Sequence, residues 1–343
     1  MSGDGALPAT DATYVVLTGG SGGVKLVAGL APLLGERLAI LANTGDDFTH
    51  LGLCISPDID TVLYSLSGRI NDETGWGRSG ETWTFMRALG EFGAPTWFKL
   101  GDGDLATHVD RTGRLAAGAT LTEVCARHAK QFGIAPRILP MSDAPVRTMI
   151  ETDGGLLSFQ EYFVRDQCRP AVSAISYQGA EGARPTRQLL DALAAPTLSG
   201  ILIGPSNPWL SIEPILAVPG LRDALEASEA PVVAVSPIIG GRAVKGPAAK
   251  IMGELGLAPG SRDIARHYAG LIDGFIIDSE DKALAEEISS AAEPGRRLPI
   301  HVTNTLMRTL DDKVALARQC LAFCAALAAD PQRQPAGRAR PAP

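Results

Sequence analysis

The segment Tyr-Val-Val-Leu-Thr-Gly-Gly-Ser-Gly-Gly, residues 14–23, decides the fold class. Its first half is a short β-branched run, its second half is a glycine-rich turn, and residues 24–34 continue with helical periodicity. A second apolar run, residues 38–42, ends in Asn-Thr-Gly-Asp-Asp. Repeated strand–loop–helix units predict α/β architecture, here a Rossmann-like parallel sheet with helices on both faces.

The pattern changes after a predicted helix at residues 56–67, where Ser56 suits the N-cap, Pro57 the first helical position and Asp58 the first turn. Residues 67–132 show no convincing strand and hold three of the four Trp residues. Strand-like runs then return, including a predicted hairpin across residues 152–155. The sequence thus predicts these units: a Rossmann-like nucleotide-binding core at 14–66 and 135–326, a mainly helical subdomain at 67–132, and flexible termini at 1–12 and 330–343.

Composition and charge exclude several classes of protein. The 343 residues include 31 Lys and Arg against 38 Asp and Glu, a net charge of -7, whereas nucleic-acid-binding proteins usually present a basic face. No apolar run reaches the length of a membrane span and no signal pattern opens the chain, so a cytoplasmic protein without membrane association is expected. The five cysteines include no Cys-x-x-Cys motif, which argues against a disulfide framework or a zinc site.

Glycine- and proline-rich loops follow three of the predicted strands. Ligands of open parallel sheets bind beyond the carboxyl ends of the strands, and glycines allow backbone N–H groups to approach a phosphate. A plain structural turn remains the alternative for each loop, although Arg242, Lys245 and Lys250 follow the third. The candidate nucleotide-binding residues are Gly19, Gly20, Ser21, Gly22, Gly23 and Lys25, then Gly204, Ser206 and Asn207, then Ser236 and Gly240.

Four carboxylates fall within fifteen residues: Asp46 and Asp47 at a strand end, and Asp58 and Asp60 at the next helix. Mg²⁺ prefers one or two carboxylates together with phosphate oxygens, so Asp46 and Asp47 are interpreted as a functional pair. Asp58 is interpreted as a helix-capping residue. The five histidines have no helical metal-ligand spacing, which argues against a histidine metal site.

A dozen motifs in order identify a family resemblance. They are TGGSGGVKL, NTGDD, SPDIDTVLYSLSG, GWG…ETW, FKLGDGDLATH, LPMSD, FQEYFV, ILIGPSNP, SIEPILAVPG, VVAVSPIIGG, VKGPAAKIM and NTLM. Together they closely resemble the 2-phospho-L-lactate transferase family of coenzyme F-420 biosynthesis, over about residues 14–326.

This resemblance implies a reaction. A GDP-activated three-carbon acid is the donor, and the acceptor is Fo, the deazaflavin alcohol 7,8-didemethyl-8-hydroxy-5-deazariboflavin. The terminal ribityl hydroxyl of Fo attacks the donor phosphorus, GMP leaves, and Mg²⁺ is required. The three-carbon unit is left open among phospholactate, phosphoenolpyruvate and 3-phosphoglycerate, because one or two side chains suffice to choose among them. A homodimer is implied by analogy.

The resemblance also implies residue roles. Asp46, Asp47 and Asp60 would be catalytic, with Asp46 and Asp47 near the metal. Fo would contact Asp60, Lys99, Met141, Ser142 and Asp143. The motif NTLM carries Asn304 where relatives often have Asp.

Two other classes of protein remain open. One is a UDP-sugar-binding regulatory protein of the related group with a similar glycine-rich first loop. The other is a nucleotide-binding scaffold without turnover, against which the acidic cluster argues, because carboxylates beside a phosphate repel it unless a metal is present.

Overall fold

The computed structural model describes residues 10–243, 246–291, 296–331 and 333. The predicted flexible termini therefore lie mostly outside the described residues, as does Lys245. No helix in these ranges has the length and apolar character needed to cross a membrane.

The secondary structure alternates between strands and helices along most of the chain. The strands are β1 (Thr13–Thr18), β2 (Leu38–Ala42), β3 (Phe48–His50), β4 (Leu53–Ile55), β5 (Arg137–Pro140), β6 (Arg147–Thr152), β7 (Gly155–Ser158), β8 (Val172–Gln178), β9 (Leu198–Ile203), β10 (Val232–Val235), β11 (Ile238–Ile239), β12 (Arg242–Ala243), β13 (Gly274–Asp278) and β14 (Ile300–Thr303). The helices are α1 (Gly20–Leu34), α2 (Pro57–Leu66), α3 (Thr84–Glu91), α4 (Asp102–Ala116), α5 (Leu121–Gln131), α6 (Arg187–Leu193), α7 (Glu213–Leu216), α8 (Leu221–Glu226), α9 (Ala248–Glu254), α10 (Ser261–His267), α11 (Ala285–Ala291) and α12 (Leu310–Ala329).

A seven-stranded parallel sheet organises the molecule, with strand order β14-β13-β10-β9-β1-β2-β5. The chain builds outward from β1 through β2 to β5 on one side, and from β9 through β10 and β13 to β14 on the other. The direction of winding therefore reverses between β1 and β9. Such a switch point leaves a crevice at the carboxyl ends of the two strands, where ligands of this architecture bind.

Helices cover both faces of this sheet, which confirms the predicted fold class. On one face, Val16 of β1 and Leu202 of β9 belong to an apolar cluster that includes residues of α1, α2 and α12. On the other face, Leu17 and Ile203 belong to a cluster with residues of α6 to α11. Burial on both faces explains why these strands are continuous apolar runs rather than alternating ones.

The prediction that the strands of residues 135–326 form one parallel core is wrong for five of them. The short strands β11 and β12 pair only with each other, in antiparallel fashion. β6, β7 and β8 form a separate antiparallel sheet in the order β7-β6-β8, and it includes the predicted hairpin, in which Thr152 pairs with Gly155. The sequence prediction missed β8, whose exposed and half-buried polar positions give it little apolar signal. β14 was also missed, because as an edge strand it buries none of its residues completely.

Three helices, α3, α4 and α5, follow one another between residues 67 and 132, all of which are described, and an isolated bridge between Ile70 and Arg78 is the only β-pairing there. The hairpin of β3 and β4 packs on this segment, since Ile55 shares an apolar cluster with Met86 and Leu100. Conversely, Cys125 of α5 packs in the core beside the parallel sheet. The packing thus differs from the predicted boundaries at both ends of the helical subdomain.

Candidate active site

A cleft of about 700 Å³ opens at the carboxyl end of the parallel sheet, between the sheet and the helical segment. Its wall includes the loops that follow β1, β2, β9, β10 and β14. The predicted site residues that line it are Gly19, Gly20, Ser21, Gly22, Lys25, Asp46, Asp60, Lys99, Ser206, Asn207 and Ser236. Those that do not are Gly23, Asp47, Met141, Ser142, Asp143, Gly204 and Gly240.

The glycine-rich segment is itself the first turn of α1, which begins at Gly20. Gly20 has φ +63°, a conformation that side chains rarely adopt. A Cβ at Gly22 would lie 2.1 Å from the carbonyl oxygen of Pro205, and one at Gly23 would lie 2.5 Å from Ser206 Oγ. These two glycines therefore allow the loops after β1 and β9 to touch. The contact leaves the N-terminal turn of α1, whose N–H groups lack acceptors within the helix, on the cleft wall.

The two polar atoms of the Asn207 side chain have different surroundings. Its Oδ1 accepts hydrogen bonds from the N–H groups of Trp209 at 3.0 Å and Leu210 at 3.2 Å, so it caps the turn that follows β9. Its Nδ2 is buried and has no hydrogen-bond partner among the described residues. An unpaired buried donor on a cleft wall indicates a ligand acceptor, because leaving it unpaired costs free energy.

Asp46 and Asp47 occupy different positions. Asp46 lines the cleft and its Oδ1 is buried without a partner in the described part of the chain. Asp47 lies behind it, where its Oδ2 accepts a hydrogen bond from Ser56 Oγ at 2.8 Å. Burial raises the pKa of Asp46 well above its ordinary range, and the charge of Asp58 raises it further. A bound cation would relieve the cost of ionising this pair.

The pKa of Asp47 leads to a prediction about stability. Burial raises this pKa from 3.8 to about 7, although the positive charge of Arg147 opposes the shift. The folded protein thus holds this proton more tightly than the unfolded chain does. Between pH 3.8 and about 7, the contribution of Asp47 to the free energy of unfolding must therefore fall as pH rises.

We expect the stability difference between the wild-type protein and the variant Asp47→Asn, measured by urea unfolding without metal, to shift against the wild type across this window. The Asn variant retains an acceptor for Ser56 Oγ but cannot titrate. A difference that is independent of pH would contradict the raised pKa.

Asp60 lines the cleft at the centre of a buried ion-pair network. Arg111, on α4, reaches both carboxylate oxygens of Asp60, with Nη1 at 3.1 Å from Oδ2. His108 lies between them and Asp104, with Nδ1 at 3.7 Å from Asp60 Oδ2 and Nε2 at 3.1 Å from Asp104 Oδ2. Tyr64 donates a hydrogen bond to Asp104. Burial lowers the pKa of Arg111, but the Asp60 carboxylate outweighs it and holds that pKa above its ordinary value.

Sequence reasoning missed Arg111, His108 and Asp104, although a signal was present. The three residues recur at helical spacing, four and then three residues apart, and so share one face of α4. A polar stripe on a helix normally faces solvent, whereas Arg111 and His108 are almost completely buried. That combination of burial and charge, visible only in the structure, marks the network as part of the site.

Asp58 is buried on the cleft wall and lies in the first turn of α2, as predicted, but the partners of its carboxylate lie outside that helix. Ser56 and Pro57 occupy the N-cap and N1 positions of α2, but Ser56 makes no side-chain capping bond. The Asp58 side chain instead bonds to Gly20, at the start of α1, and to Asn43. Burial raises the pKa of Asp58 to about 6.

The segment Met141–Ser142–Asp143 lies away from the cleft. Met141 and Ser142 are buried, while Asp143 accepts hydrogen bonds from the N–H and Oγ of Thr122 at 2.8 Å and so supports the start of α5. The resemblance implies that these residues lie near Fo, and this stays a prediction.

In the loop after β10, Ser236 and Gly240 form hydrogen bonds within the protein. Ser236 Oγ accepts a hydrogen bond from the N–H of Ile238 and pairs with Ser261 Oγ at 2.9 Å. Gly240 donates its N–H to Asp281 at 3.3 Å. Ser236 therefore lines the cleft while its hydroxyl is bonded within the protein, and Gly240 is held by Asp281.

Aromatic side chains also line the cleft. Trp76, Trp97 and Phe98 line the cleft, and so do Phe159 and Phe163, whose rings stack with centroids 5.2 Å apart. Trp76 is 55% exposed, so its ring is not packed in the core. A partly exposed aromatic wall suits a flat ring system.

Two cations reach the cleft from different sides. Lys25 donates a hydrogen bond from Nζ to the carbonyl oxygen of Met307 at 3.1 Å, beside the loop that follows β14. Lys99 is exposed and also borders an adjoining cavity of about 230 Å³. Asn304 lies outside the cleft lining, and its Oδ1 accepts a hydrogen bond from the N–H of Leu306 at 3.1 Å.

A protein-only metal site is not formed within residues 10–243, 246–291, 296–331 and 333. No three His, Cys, Asp or Glu side chains there are grouped so that they could hold a metal ion. A pair of carboxylates that relies on substrate oxygens for the remaining ligands is the usual arrangement for Mg²⁺.

This chain is similar to a known protein family, to named relatives and to a solved structure. The family described as 2-phospho-L-lactate transferase CofD matches residues 14–310. A phosphoenolpyruvate transferase of Streptomyces griseus subsp. griseus is 40% identical over 314 residues, covering 90% of this chain and 96% of the relative. A 2-phospho-L-lactate transferase of Methanosarcina acetivorans is 40% identical over 270 residues, covering 78% and 87%. The crystal structure of a UPF0052-family protein from Bacillus halodurans has a TM-score of 0.56 at 16% identity, covers 90% of this chain and 98% of that one, and shows the fold alone.

Proposed function

The chain belongs to the 2-phospho-L-lactate transferase CofD family and acts as a transferase in coenzyme F-420 biosynthesis, and we propose that its donor is GDP-activated and its acceptor is Fo. The group transferred is a phospho-three-carbon acid, and GMP is released. The observation that carries this proposal is one cleft that is lined by two unlike sets of residues. One set comprises a helix N-terminus and an unpaired amide donor, and the other is aromatic.

The residues proposed for the nucleotide can bind GDP through backbone and amide donors. The first turn of α1 offers N–H groups at the positive end of a fifteen-residue helix, which favours phosphate oxygens. Asn207 Nδ2 adds an unpaired donor on the same wall. We assign Ser21, Gly22 and Asn207 to the diphosphate, with Lys25 beside them and Gly20 at the turn that precedes them.

Asn207→Asp tests this assignment with little structural disturbance. The carboxylate keeps an acceptor for the N–H groups of Trp209 and Leu210, but it replaces the Nδ2 donor with negative charge. We expect GDP affinity, measured by calorimetry, to fall about tenfold to a hundredfold, the scale of a lost hydrogen bond to a charged group. The melting temperature should change little. Wild-type affinity in this variant would remove Asn207 from the GDP site.

The residues proposed for the acceptor suit a flat ring that is joined to a polar chain, as in Fo. Trp76, Trp97 and Phe98 offer ring faces and edges to a deazaflavin, while Asp60 lies on the same cleft wall. Because Arg111 already binds both Asp60 oxygens, we propose that Asp60 accepts a further hydrogen bond from the ribityl hydroxyl rather than carrying a free charge.

The proposed chemical step is a displacement at phosphorus. The terminal ribityl oxygen of Fo forms a bond to the phosphorus of the phospho-acid, the bond from that phosphorus to the bridging oxygen breaks, and GMP leaves with the electron pair. The hydroxyl proton passes to an acceptor, for which the carboxylates on the cleft wall are available. The chain's part is to hold the two substrates in line and to exclude water from the phosphorus.

Mg²⁺ fits the carboxylates at the end of β2. Asp46 lies on the cleft wall and Asp47 lies just behind it. The Oδ1 atom of each is buried and has no hydrogen-bond partner within the described residues. Asp46 would bind the ion directly, and Asp47 directly or through water. When bound, the ion would offset the negative charge of the donor phosphates.

Product analysis by mass spectrometry tests the function as a whole. The protein would be incubated with Mg²⁺, Fo and the three GDP-activated acids in competition, and the mass of the product identifies the acid transferred. A parallel thermal shift distinguishes the regulatory alternative, since GDP and Fo should stabilise a transferase, whereas UDP-N-acetylglucosamine should not. Stabilisation by the UDP-sugar alone, with no F-420 precursor formed, would contradict the proposal.

Two further properties stay proposals. The family analogy implies a homodimer, which light scattering tests directly. The cytoplasmic location expected from the sequence is tested by fractionation of the source cells.

A further inference from the structure

Three loops of the cleft meet at one buried carboxylate, that of Asp58. Its Oδ1 accepts a hydrogen bond from the N–H of Gly20 at 2.6 Å, and its Oδ2 accepts one from Asn43 Nδ2 at 2.9 Å. Asn43 in turn accepts a hydrogen bond at Oδ1 from the N–H of Gly45 at 2.8 Å. The start of α2 is thereby joined to the segments that follow β1 and β2.

The glycine-rich segment is packed directly onto this junction. A Cβ at Gly19 would lie 2.8 Å from Asp58 Oδ2, 2.7 Å from Ser211 Cβ and 3.0 Å from Asn43 Cβ. Gly20 has positive φ, so the chain turns sharply at the residue whose N–H the carboxylate accepts. The direction in which α1 leaves β1 is therefore held by Asp58 at the point where the helix begins.

The charge of Asp58 has two opposing effects on the proposed nucleotide site. A carboxylate beside a phosphate-binding turn repels a phosphate, so its presence on this wall should weaken nucleotide binding. A charge-assisted hydrogen bond to a backbone N–H, however, is shorter and stronger than a neutral one. The two effects make opposite predictions for removal of the charge.

We propose that Asp58 is a positioning residue that acts through Gly20: it fixes the N-terminal turn of α1 so that the Ser21 and Gly22 N–H groups face the nucleotide phosphates. Asn43 is its partner, because it orients the carboxylate and links it to the loop of Asp46. This inference rests on the proposed GDP site and adds to it the residues that set its shape.

The side chains of Asp58 and Asn43 can be exchanged for one another as a test. In Asp58→Asn the new amide can present its oxygen to Gly20, but its NH₂ group then faces the NH₂ of Asn43. In Asn43→Asp two carboxylates face each other. The double variant Asp58→Asn/Asn43→Asp restores a donor opposite an acceptor, and an acceptor remains for both Gly20 and Gly45.

The measurement is GDP affinity by calorimetry with Mg²⁺ present, together with KM for the GDP-activated donor and kcat. We expect each single variant to bind GDP about tenfold or more weakly, the scale of one lost hydrogen bond. The double variant should return to within about threefold of wild type. KM should rise more than kcat falls, and Fo affinity should stay unchanged in all three variants.

A matched control comes from the opposite edge of the same sheet. Asp273 is likewise buried and accepts a hydrogen bond from a backbone N–H, that of Val232 at 2.9 Å, at the amino end of β10. Asp273→Asn should lower thermal stability but leave GDP affinity unchanged. If Asp58→Asn is too unstable to titrate, the double variant still decides, since recovery of fold and GDP binding together requires the pairing.

The outcomes are separable. Unchanged or tighter GDP binding by Asp58→Asn overturns the inference, because repulsion would then be the main effect of Asp58. A double variant as weak as the single ones also overturns it. Absence of GDP binding by the wild-type protein, measured before any variant, overturns the proposed function itself.

Discussion

Replacing Asp46 by Asn is expected to lower turnover by about a hundredfold or more, on the scale of a lost charge-stabilising group in an active site. Asp46 lies on the cleft wall with one oxygen unpaired within the described chain, and burial keeps the pKa of its carboxyl high. A cation nearby would therefore favour the ionised form of Asp46. The amide keeps the size of the side chain but removes the charge that would hold Mg²⁺ against the donor phosphates.

The readouts separate metal binding from folding. The Mg²⁺ concentration for half-maximal activity should rise in Asp46→Asn, whereas Fo affinity should remain close to that of the wild type. Asp47→Asn is the matched variant, because Asp47 lies behind the wall and bonds to Ser56, and its effect on turnover should be smaller. Near-normal turnover of Asp46→Asn at saturating Mg²⁺ would show that catalysis depends mainly on positioning by the backbone loops.

Replacing Arg111 by Met is expected to cost about 3–5 kcal/mol of folding free energy, the scale for removing one partner of a buried ion pair. Arg111 is completely buried and reaches both oxygens of Asp60. Its removal leaves the Asp60 carboxylate uncompensated beside Asp47 and Asp104. Urea unfolding measures the loss.

A double-mutant cycle tests whether the two side chains act as a pair. Asp60→Asn/Arg111→Met should be less destabilised than the sum of the two single variants, because neither then leaves an unpaired charge. Arg111→Lys should be intermediate, since an ammonium keeps the charge but cannot bind both oxygens in the same way. Strict additivity in the cycle would mean that the ion pair contributes no coupling to stability.

The same network connects stability to the proposed chemistry. Asp60 can face the acceptor hydroxyl only while Arg111 holds it, and Arg111 is placed by α4 of the helical segment. Loss of Arg111 should therefore reduce turnover as well as stability, and saturating Fo should not restore it.

Local sequence patterns were sufficient to predict most of the parallel core. Residues 14–18, 38–42, 200–203 and 232–235 are apolar runs because both faces of their strands are buried, and each is followed by a loop rich in small or polar residues. Since the carboxyl ends of parallel strands meet at one edge, the strand ends alone predicted that the glycine-rich segment, Asp46 and Asn207 would share a cleft. The family resemblance agreed with this reading independently of the pattern.

The third strand of the antiparallel sheet, β8, and the edge strand β14 were beyond that reasoning. β8 carries exposed and half-buried residues on a surface sheet, and β14 lies at the edge of the parallel sheet, so neither produces the apolar run by which the central strands are recognised. Their existence depends on which neighbour each strand pairs with, and pairing is a long-range property.

The sequence by itself determined the fold class, the order of the strand ends and the family, because these follow from local periodicity and short motifs. Only the tertiary structure decided the roles of single carboxylates. Asp58 bonds to Gly20, thirty-eight residues away, and Asp60 pairs with Arg111, fifty-one residues away. Asp143 carries a family motif but supports α5 instead. A carboxylate's function depends on its burial and on the charge and donors that face it, and those partners come from other elements of the fold.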